Sequence, residues 1–251
     1  MKRLMLLVLG SLALVLLVIV GLPARLIPLV VDDTNLRLSG LSGTVFDGRA
    51  ARALVRTPAG FLHLGSVSWD VDPWSVLTLK PSLDLRMAWG AQRAELSLQS
   101  KRNTTTLRDV DASIDAKLLR TLAPLAVEGR IGLQLAYLRL DGFSPMEADG
   151  RLVWQSAVWR SSSREHPLGS YVAQIQSPDD QVLAATIDTL SGPVAAVGFA
   201  RLTGSRYDLD LTISGRDRAL APEVERALRL FASPEEDGYL LRLDGDLAIA
   251  P

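Results

Sequence analysis

The 251-residue sequence contains no cysteine and only two histidines. The absence of cysteine excludes disulfide bonds, zinc sites with thiolate ligands and cysteine nucleophiles. His63 and His166 lie far apart in the sequence, without a second ligand at metal-binding spacing, so we expect both side chains to be solvated, His166 in a polar loop. A domain with a large core can do without disulfides even in an oxidising compartment.

A surplus of positive charge is also lacking, since the formal net charge is −1. The 27 basic residues include Lys2 and Arg3, so 25 remain beyond residue 22, against 28 acidic residues. A protein that binds nucleic acid needs lysine and arginine to replace the counterions on phosphate. The charge balance therefore argues against a nucleic-acid partner.

Catalytic motifs are missing as well. There is no GxSxG elbow, and the glycine-rich segment "SGLSGTVFDG" lacks the lysine of a phosphate-binding loop. The acidic clusters 32–33, 179–180 and 235–237 lie in turn-like surroundings. We expect them to be solvated, with a surface calcium contact as the alternative. We predict no enzymatic activity, no cofactor and no metal site.

One long apolar run is present, from Leu4 to Leu22, directly after Lys2 and Arg3. Its 19 uncharged residues match the roughly 20 that a helix needs to cross a bilayer. The positive pair favours a cytoplasmic N-terminus, so we predict a cytoplasmic tip and transmembrane helix over residues 1–22 and a translocated β-rich domain over 23–251. A cleaved signal peptide is the alternative, although the candidate cleavage site at 22–24 fits poorly.

Beyond this run, apolar and polar residues alternate with a period of two. Such a period places one face of a strand on a core and the other toward water, which suits an antiparallel sheet. We therefore predict an all-β dominated fold, a large twisted antiparallel β-sheet with one or two short helices. The clearest alternating segments are 67–71, 83–89, 94–98, 131–137, 171–175, 207–213 and 239–243.

Helices are predicted at 112–122 and, with better capping signals, at 222–232. The expected buried stripe of the second helix consists of Val224, Leu228 and Phe231. The polar stretch 161–167 is predicted to be a loop and offers a division into halves 30–145 and 146–251. Four dipeptides are predicted turns, because both residues tolerate positive φ: Asp47-Gly48, Asp141-Gly142, Asp149-Gly150 and Asp237-Gly238.

Several tryptophans and one glycine-rich segment are candidates for binding. Trp69 has the apolar parity of its strand, so we expect it in the core. Trp74 does not continue this alternating apolar pattern, so we expect it at a membrane interface or in a protein contact. The same two locations are open for Trp154 and Trp159. The glycine-rich segment favours two tight hairpin turns over a partner-docking turn. The candidate partner-contact or turn residues are Gly40, Gly43, Thr44, Phe46, Gly48, Trp74, Trp154 and Trp159.

Four segments follow one another behind the apolar run: "LRLSGLSGTVFDGRA" (36–50), "LGSVSWDVDPWSVL" (64–77), "MEADGRLVWQSA" (146–157) and "YLLRLDGDLAIA" (239–250). In order and spacing they resemble the type II secretion system protein N family, over essentially the whole chain. Phe46 departs from the family pattern, in which tryptophan is frequent. The resemblance implies an accessory, non-enzymatic component of the inner-membrane platform of a machine that exports folded proteins from the periplasm of Gram-negative bacteria. It also implies other inner-membrane secretion subunits as partners and a periplasmic C-terminal domain.

A second resemblance leaves another class of function open. A membrane anchor followed by a leucine-rich antiparallel sheet is similar to the AsmA-like family, whose grooves hold lipid. This alternative is periplasmic lipid binding or lipid transfer, although the chain is short for a bridge across the periplasm. An open apolar groove on the inner face of the sheet would favour lipid, and a closed sheet packed by helices would favour assembly.

Overall fold

The protein is described by a computed structural model over residues 21–28, 36–57, 60–78, 80–101, 104–121, 126–142, 144–161, 164–179, 181–217 and 219–246. These residues form fourteen strands and a few short helices, so the prediction of a β-dominated fold is confirmed. The strands are β1 (Leu36–Gly43), β2 (Asp47–Thr57), β3 (Gly60–Val71), β4 (Ser82–Trp89), β5 (Gln92–Lys101), β6 (Thr104–Asp115), β7 (Val127–Asp141), β8 (Ser144–Arg160), β9 (Glu165–Asp179), β10 (Val182–Ser191), β11 (Val194–Thr203), β12 (Arg206–Gly215), β13 (Ser233–Glu235) and β14 (Gly238–Asp246). The helices are α1 (Pro73–Leu77) and α2 (Pro222–Leu228), with 3-10 turns at Ala24–Leu26 and Ala116–Thr121.

The chain divides into two compact units. Unit one comprises residues 1–91 and 97–101, and unit two comprises residues 92–96 and 102–251. The border between these units lies within β5. The division into halves 30–145 and 146–251 stays a prediction.

Unit one contains β1, β2, β3 and β4, each antiparallel to the next. Its buried core is built from Ala24, Ala50, Ala53, Val67 and Trp69. The three alanines are fully buried. Because their side chains are short, the backbone that follows the apolar run can lie close to the sheet under the indole of Trp69.

Unit two continues from β6 to β12 in chain order, followed by β14 and then β13. The hairpins are antiparallel, and the register shifts between β7, β8 and β9 mark bulges. Gly150 lies in one of these places, in the middle of β8. The predicted turn at Asp149-Gly150 is therefore wrong. Asp141-Gly142 does lie in a turn at the end of β7, and Asp237 lies in the turn that precedes Gly238, the first residue of β14.

The helix predictions are only partly confirmed. Residues 112–115 belong to β6 and residues 116–121 form a 3-10 turn, so cross-strand pairing with β7 prevails over the helical pattern. The second helix ends at Leu228 and continues as turns, which takes Phe231 off the helical spacing. Phe231 is 72% exposed, so its predicted burial is wrong, while Val224 is buried.

The predicted loop at 161–167 is also shorter than expected. Strand β9 begins at Glu165, and His166 pairs across the hairpin with Trp159. His166 is only 5% exposed, so its predicted solvation is wrong. The polar sequence around His166 gave no sign of a strand. The histidine is buried by its cross-strand neighbour, and no alternation of apolar residues marks its position.

In the parts of the chain that the structure describes, no helix has the length and apolar character to cross a membrane. The predicted transmembrane helix, at residues 4–22, lies outside the described residues except for Gly21 and Leu22.

The left-handed glycine at position 65 supplies a test of the packing in unit one. A Cβ atom on Gly65 (φ +76°) would lie 2.3 Å from the carbonyl oxygen of Ala88, whereas one on Gly90 (φ +59°) would meet open space. We expect G90A to lower the free energy of unfolding by about 1 kcal/mol, the cost of a left-handed non-glycine residue. G65A should cost about 3 kcal/mol, because overpacking adds to the same penalty. Urea unfolding followed by circular dichroism measures both, and equal losses would contradict the close approach of β3 and β4.

Candidate functional site

The turn between β1 and β2 contains most of the glycine-rich candidate residues. The amide of Thr44 donates to the carbonyl of Asp47 at 2.7 Å, and the amide of Asp47 donates to Oγ1 of Thr44 at 2.9 Å. Gly43 (φ +84°) has no room for a side chain, since a Cβ would lie 2.5 Å from the Asp47 carbonyl. The segment thus forms one closed turn, preceded by a second left-handed glycine at Gly40 (φ +68°), and β2 already starts at Asp47.

Gly48 allows an aromatic ring to lie directly on the backbone of this turn. A Cβ on Gly48 would be 2.5 Å from the Trp69 ring. Trp69 is 8% exposed, which confirms its prediction as a core residue, and its Nε1–H donates to the carbonyl of Val45 at 3.0 Å. The tryptophan therefore fixes the turn from inside the core.

The same turn binds the end of the apolar run. The amide of Val45 donates to the carbonyl of Leu22 at 2.8 Å, and Pro23 forms an isolated antiparallel bridge with Thr44. Ala24 then enters the core with no exposed surface. We call this arrangement of Leu22–Ala24 on the turn 43–48 the stem contact. Sequence reasoning missed it, because only folding brings residues 22 and 45 together.

Trp74 lies close to the stem contact. The amide of Val71 donates to the carbonyl of Phe46 at 2.6 Å, so β3 ends beside the turn and α1 follows at once. Asp72 caps α1 by accepting from the amide of Trp74 at 3.0 Å, and Pro73 occupies its first position. The side chain of Trp74 is 70% exposed.

In unit two, Trp154 and Trp159 line a cavity of about 410 Å³. Its walls are apolar side chains on β7 to β12, and α2 contributes Val224, Ala227 and Leu228, with Phe231 beyond the helix end. A volume of this size is typical of pockets for small ligands. Two candidate residues from the sequence are therefore brought together, on a different unit from the glycine-rich turn.

The polar groups of the cavity wall are already bonded to the backbone. Trp154 Nε1–H donates to the carbonyl of Glu128 at 3.2 Å, and the Tyr171 hydroxyl donates to the carbonyl of Val194 at 3.1 Å. Burial raises the pKa of Tyr171 to about 12, so this hydroxyl stays protonated at neutral pH. The free surface of the cavity consequently suits an apolar ligand.

Helix α2 is held over the cavity by a polar cluster at its outer side. The Tyr239 hydroxyl donates to Oε1 of Glu225 at 2.8 Å, and Arg229 donates to both groups. The hydrogen bond from Arg229, followed by that from Tyr239, lowers the pKa of the Glu225 carboxyl. These contacts connect α2 to β14.

His166 lies next to the cavity wall, stacked on Trp159 with ring centroids 5.3 Å apart. Its Nε2 is 3.3 Å from Oγ of Ser161. The Ser161–His166 pair lacks a carboxylate partner within the described residues, and no group of three or more His, Asp or Glu side chains there is placed to hold a metal ion. The histidine acts as a packing partner for the tryptophan.

Comparison with models of known protein families gives a match over most of the chain. A family model described as "Type II secretion system (T2SS), protein N" matches residues 34–242. No curated protein and no solved structure matches the chain significantly. The matched range contains the turn 43–48, Trp69, Trp74 and both cavity tryptophans.

The bond between Trp69 and Val45 can be tested by W69F, which keeps an apolar ring and removes the N–H donor. Losing one such hydrogen bond costs about 1 kcal/mol, so the Val45 amide, which binds Leu22, should exchange its hydrogen about fivefold faster. Hydrogen exchange followed by mass spectrometry measures this change. W89F, at an exposed tryptophan of the same unit, is the control and should leave the exchange unchanged. Unchanged exchange in W69F would show that the indole does not hold the turn.

Proposed function

We propose, from the fact that this chain belongs to the type II secretion system protein N family, that it is a non-enzymatic accessory component of the inner-membrane platform of that machine. The family match over residues 34–242 carries this proposal, because it spans strands of both units. Members of this family are components of a secretion system, so other secretion subunits are the expected partners.

The proposed location is the inner membrane, with a cytoplasmic N-terminus and a periplasmic β-rich domain. The apolar run 4–22 and the positive pair before it support this topology. The stem contact supports it further, because it joins the last residue of the run to the sheet of unit one. Cleavage of a signal peptide at the candidate site 22–24 would remove the residues that form the stem contact.

A surface for a partner is present on the outer side of unit two. The side chains of Leu190, Val197 and Phe199 are 53%, 50% and 50% exposed, and we call them the outer patch. Ala196 lines the cavity, so its neighbour Val197 points to the other face of β11. In the β10–β11 register, Thr186 is opposite Phe199, which places the three apolar residues on one face of two adjacent strands. Grouped exposed apolar side chains of this kind are typical of protein-binding surfaces.

Photo-crosslinking in native membranes tests the assembly role. A photoreactive amino acid at Phe199 should trap an inner-membrane secretion subunit, identified by mass spectrometry. Ala136, exposed on β7 of the same unit, is the matched control position and should trap several-fold less. Products that contain no secretion subunit at either position would refute the assembly role, and equal trapping would refute the outer patch as its surface.

A second function, lipid binding in the periplasm, is favoured by the cavity. The cavity has a volume of about 410 Å³ and an apolar wall. Helix α2 covers the cavity only partly, since Phe231 remains exposed. Burial of an acyl chain in this cavity would be favourable by about 0.8 kcal/mol for each methylene group removed from water. A partly open apolar cavity is the feature that distinguishes a lipid-binding sheet from a sheet closed by helices.

Filling the cavity tests the lipid-binding role. Ala227 on α2 faces the cavity, and Arg226 beside it is exposed. Lipid extracted from the purified chain and measured by mass spectrometry should fall several-fold in A227W and stay unchanged in R226W. The role is refuted if the unaltered chain carries no lipid, or if A227W carries as much as the unaltered chain.

A further inference from the structure

The stem contact leaves no spacer between the apolar run and unit one. Leu22 is the last residue of the run, and its carbonyl already accepts from Val45 of the β1–β2 turn at 2.8 Å. If residues 4–22 cross the bilayer, the turn must lie where the hydrocarbon ends. The lipid headgroups extend roughly 5 to 8 Å beyond that level on each side. The sheet of unit one therefore starts within the headgroup layer and does not stand away from it.

Helix α1 lies at the same end of unit one. Val45 and Phe46 are consecutive residues, one bonded to Leu22 and the other to Val71. Trp74 follows Val71 by three positions in the sequence, and that length of chain spans at most about 11 Å. The opposite end of the unit is formed by the β2–β3 hairpin, where Arg56 pairs with Phe61.

The exposed aromatic residues at the two ends differ in their surroundings. At the far end, Arg37 lies 5.2 Å from the Phe61 ring centroid and His63 lies 6.1 Å from Trp89, so both rings have partners within the protein. The indole of Trp74 has neither a ring contact nor a hydrogen-bond partner among the described residues. Trp74 is also 70% exposed, which is the largest exposure of a large apolar side chain in the described part of unit one.

The residues around α1 fit a membrane surface. Val76 on α1 and Leu26, which follows the stem contact in the sequence, are further exposed apolar side chains. Lys80 and Arg25 are exposed there as well, and cations on flexible stems can reach lipid phosphates. Indoles prefer the headgroup level of a bilayer, where the ring is in an apolar environment and the N–H can bind water or lipid.

We propose that α1 is a membrane-surface contact, in which Trp74 inserts into the headgroup layer of the leaflet where residues 4–22 leave the bilayer. The contact rests on the proposed membrane anchor. With the stem contact it holds unit one at two places on the bilayer surface, which prevents the unit from turning about the single helix. The orientation of unit one toward neighbouring subunits is thereby fixed by the membrane itself.

Because the chain has no cysteine, single-cysteine labelling tests the contact directly. The full chain carrying W74C or V76C is labelled with an environment-sensitive fluorophore and reconstituted into phosphatidylethanolamine and phosphatidylglycerol vesicles. The matched control is W89C, an exposed tryptophan at the far end of the same unit. Emission at 74 and 76 should shift to shorter wavelength and be quenched by headgroup nitroxide lipids, several-fold more than at 89. V76C keeps the indole, so it reports the position of α1 even if W74C weakens the contact.

Vesicle flotation separates this proposal from the anchor on which it rests. If the chain floats with the vesicles but the labels at 74 and 76 are as aqueous as that at 89, the anchor stands and the surface contact is wrong. If the chain does not float, both are wrong. A blue shift that occurs in native membranes but not in lipid-only vesicles would overturn the proposal in favour of a protein partner at α1.

Discussion

The backbone of Val45 makes the two hydrogen bonds on which the arrangement of unit one depends. Its N–H binds the carbonyl of Leu22 at 2.8 Å, and its C=O accepts from the indole of Trp69 at 3.0 Å. The bond from Trp69 needs Gly48, because a Cβ at that position would lie 2.5 Å from the Trp69 ring. The backbone of one residue thus joins the end of the apolar run, the first turn of the sheet and the core. Leu22, the last residue of the apolar run, is therefore attached directly to the sheet of unit one, with no flexible linker between them.

Unit two uses its two sheet faces differently. The inner face, partly covered by α2, carries the apolar cavity with Trp154 and Trp159 in its wall. The outer face of β10 and β11 carries the exposed patch that includes Phe199. Since side chains alternate between faces along a strand, one strand can serve a small apolar ligand on one side and a protein on the other. The two proposed functions therefore use different residues and are separable by mutation.

Local periodicity was sufficient to predict the strands, because burial of one face of a sheet produces a visible alternation of apolar and polar residues in the sequence. It was insufficient where a distant neighbour decides burial. His166 is buried by Trp159 across a hairpin, and residues 112–115 join β6 because β7 pairs with them. The end of α2 was placed too late for a similar reason, since the turns after Leu228 leave Phe231 outside the helical stripe.

For the candidate sites, the sequence alone established the residue types: glycines that permit left-handed turns, a tryptophan with core parity, another without it, and an apolar run long enough for a bilayer. Those properties are local, so composition and spacing reveal them. Tertiary structure decided which of these residues meet. It placed Val45 against Leu22 and Trp69, and it put Trp154 and Trp159 in one cavity wall. Contacts between residues more than 20 positions apart depend on strand register and chain reversal, and no short window of sequence contains that information.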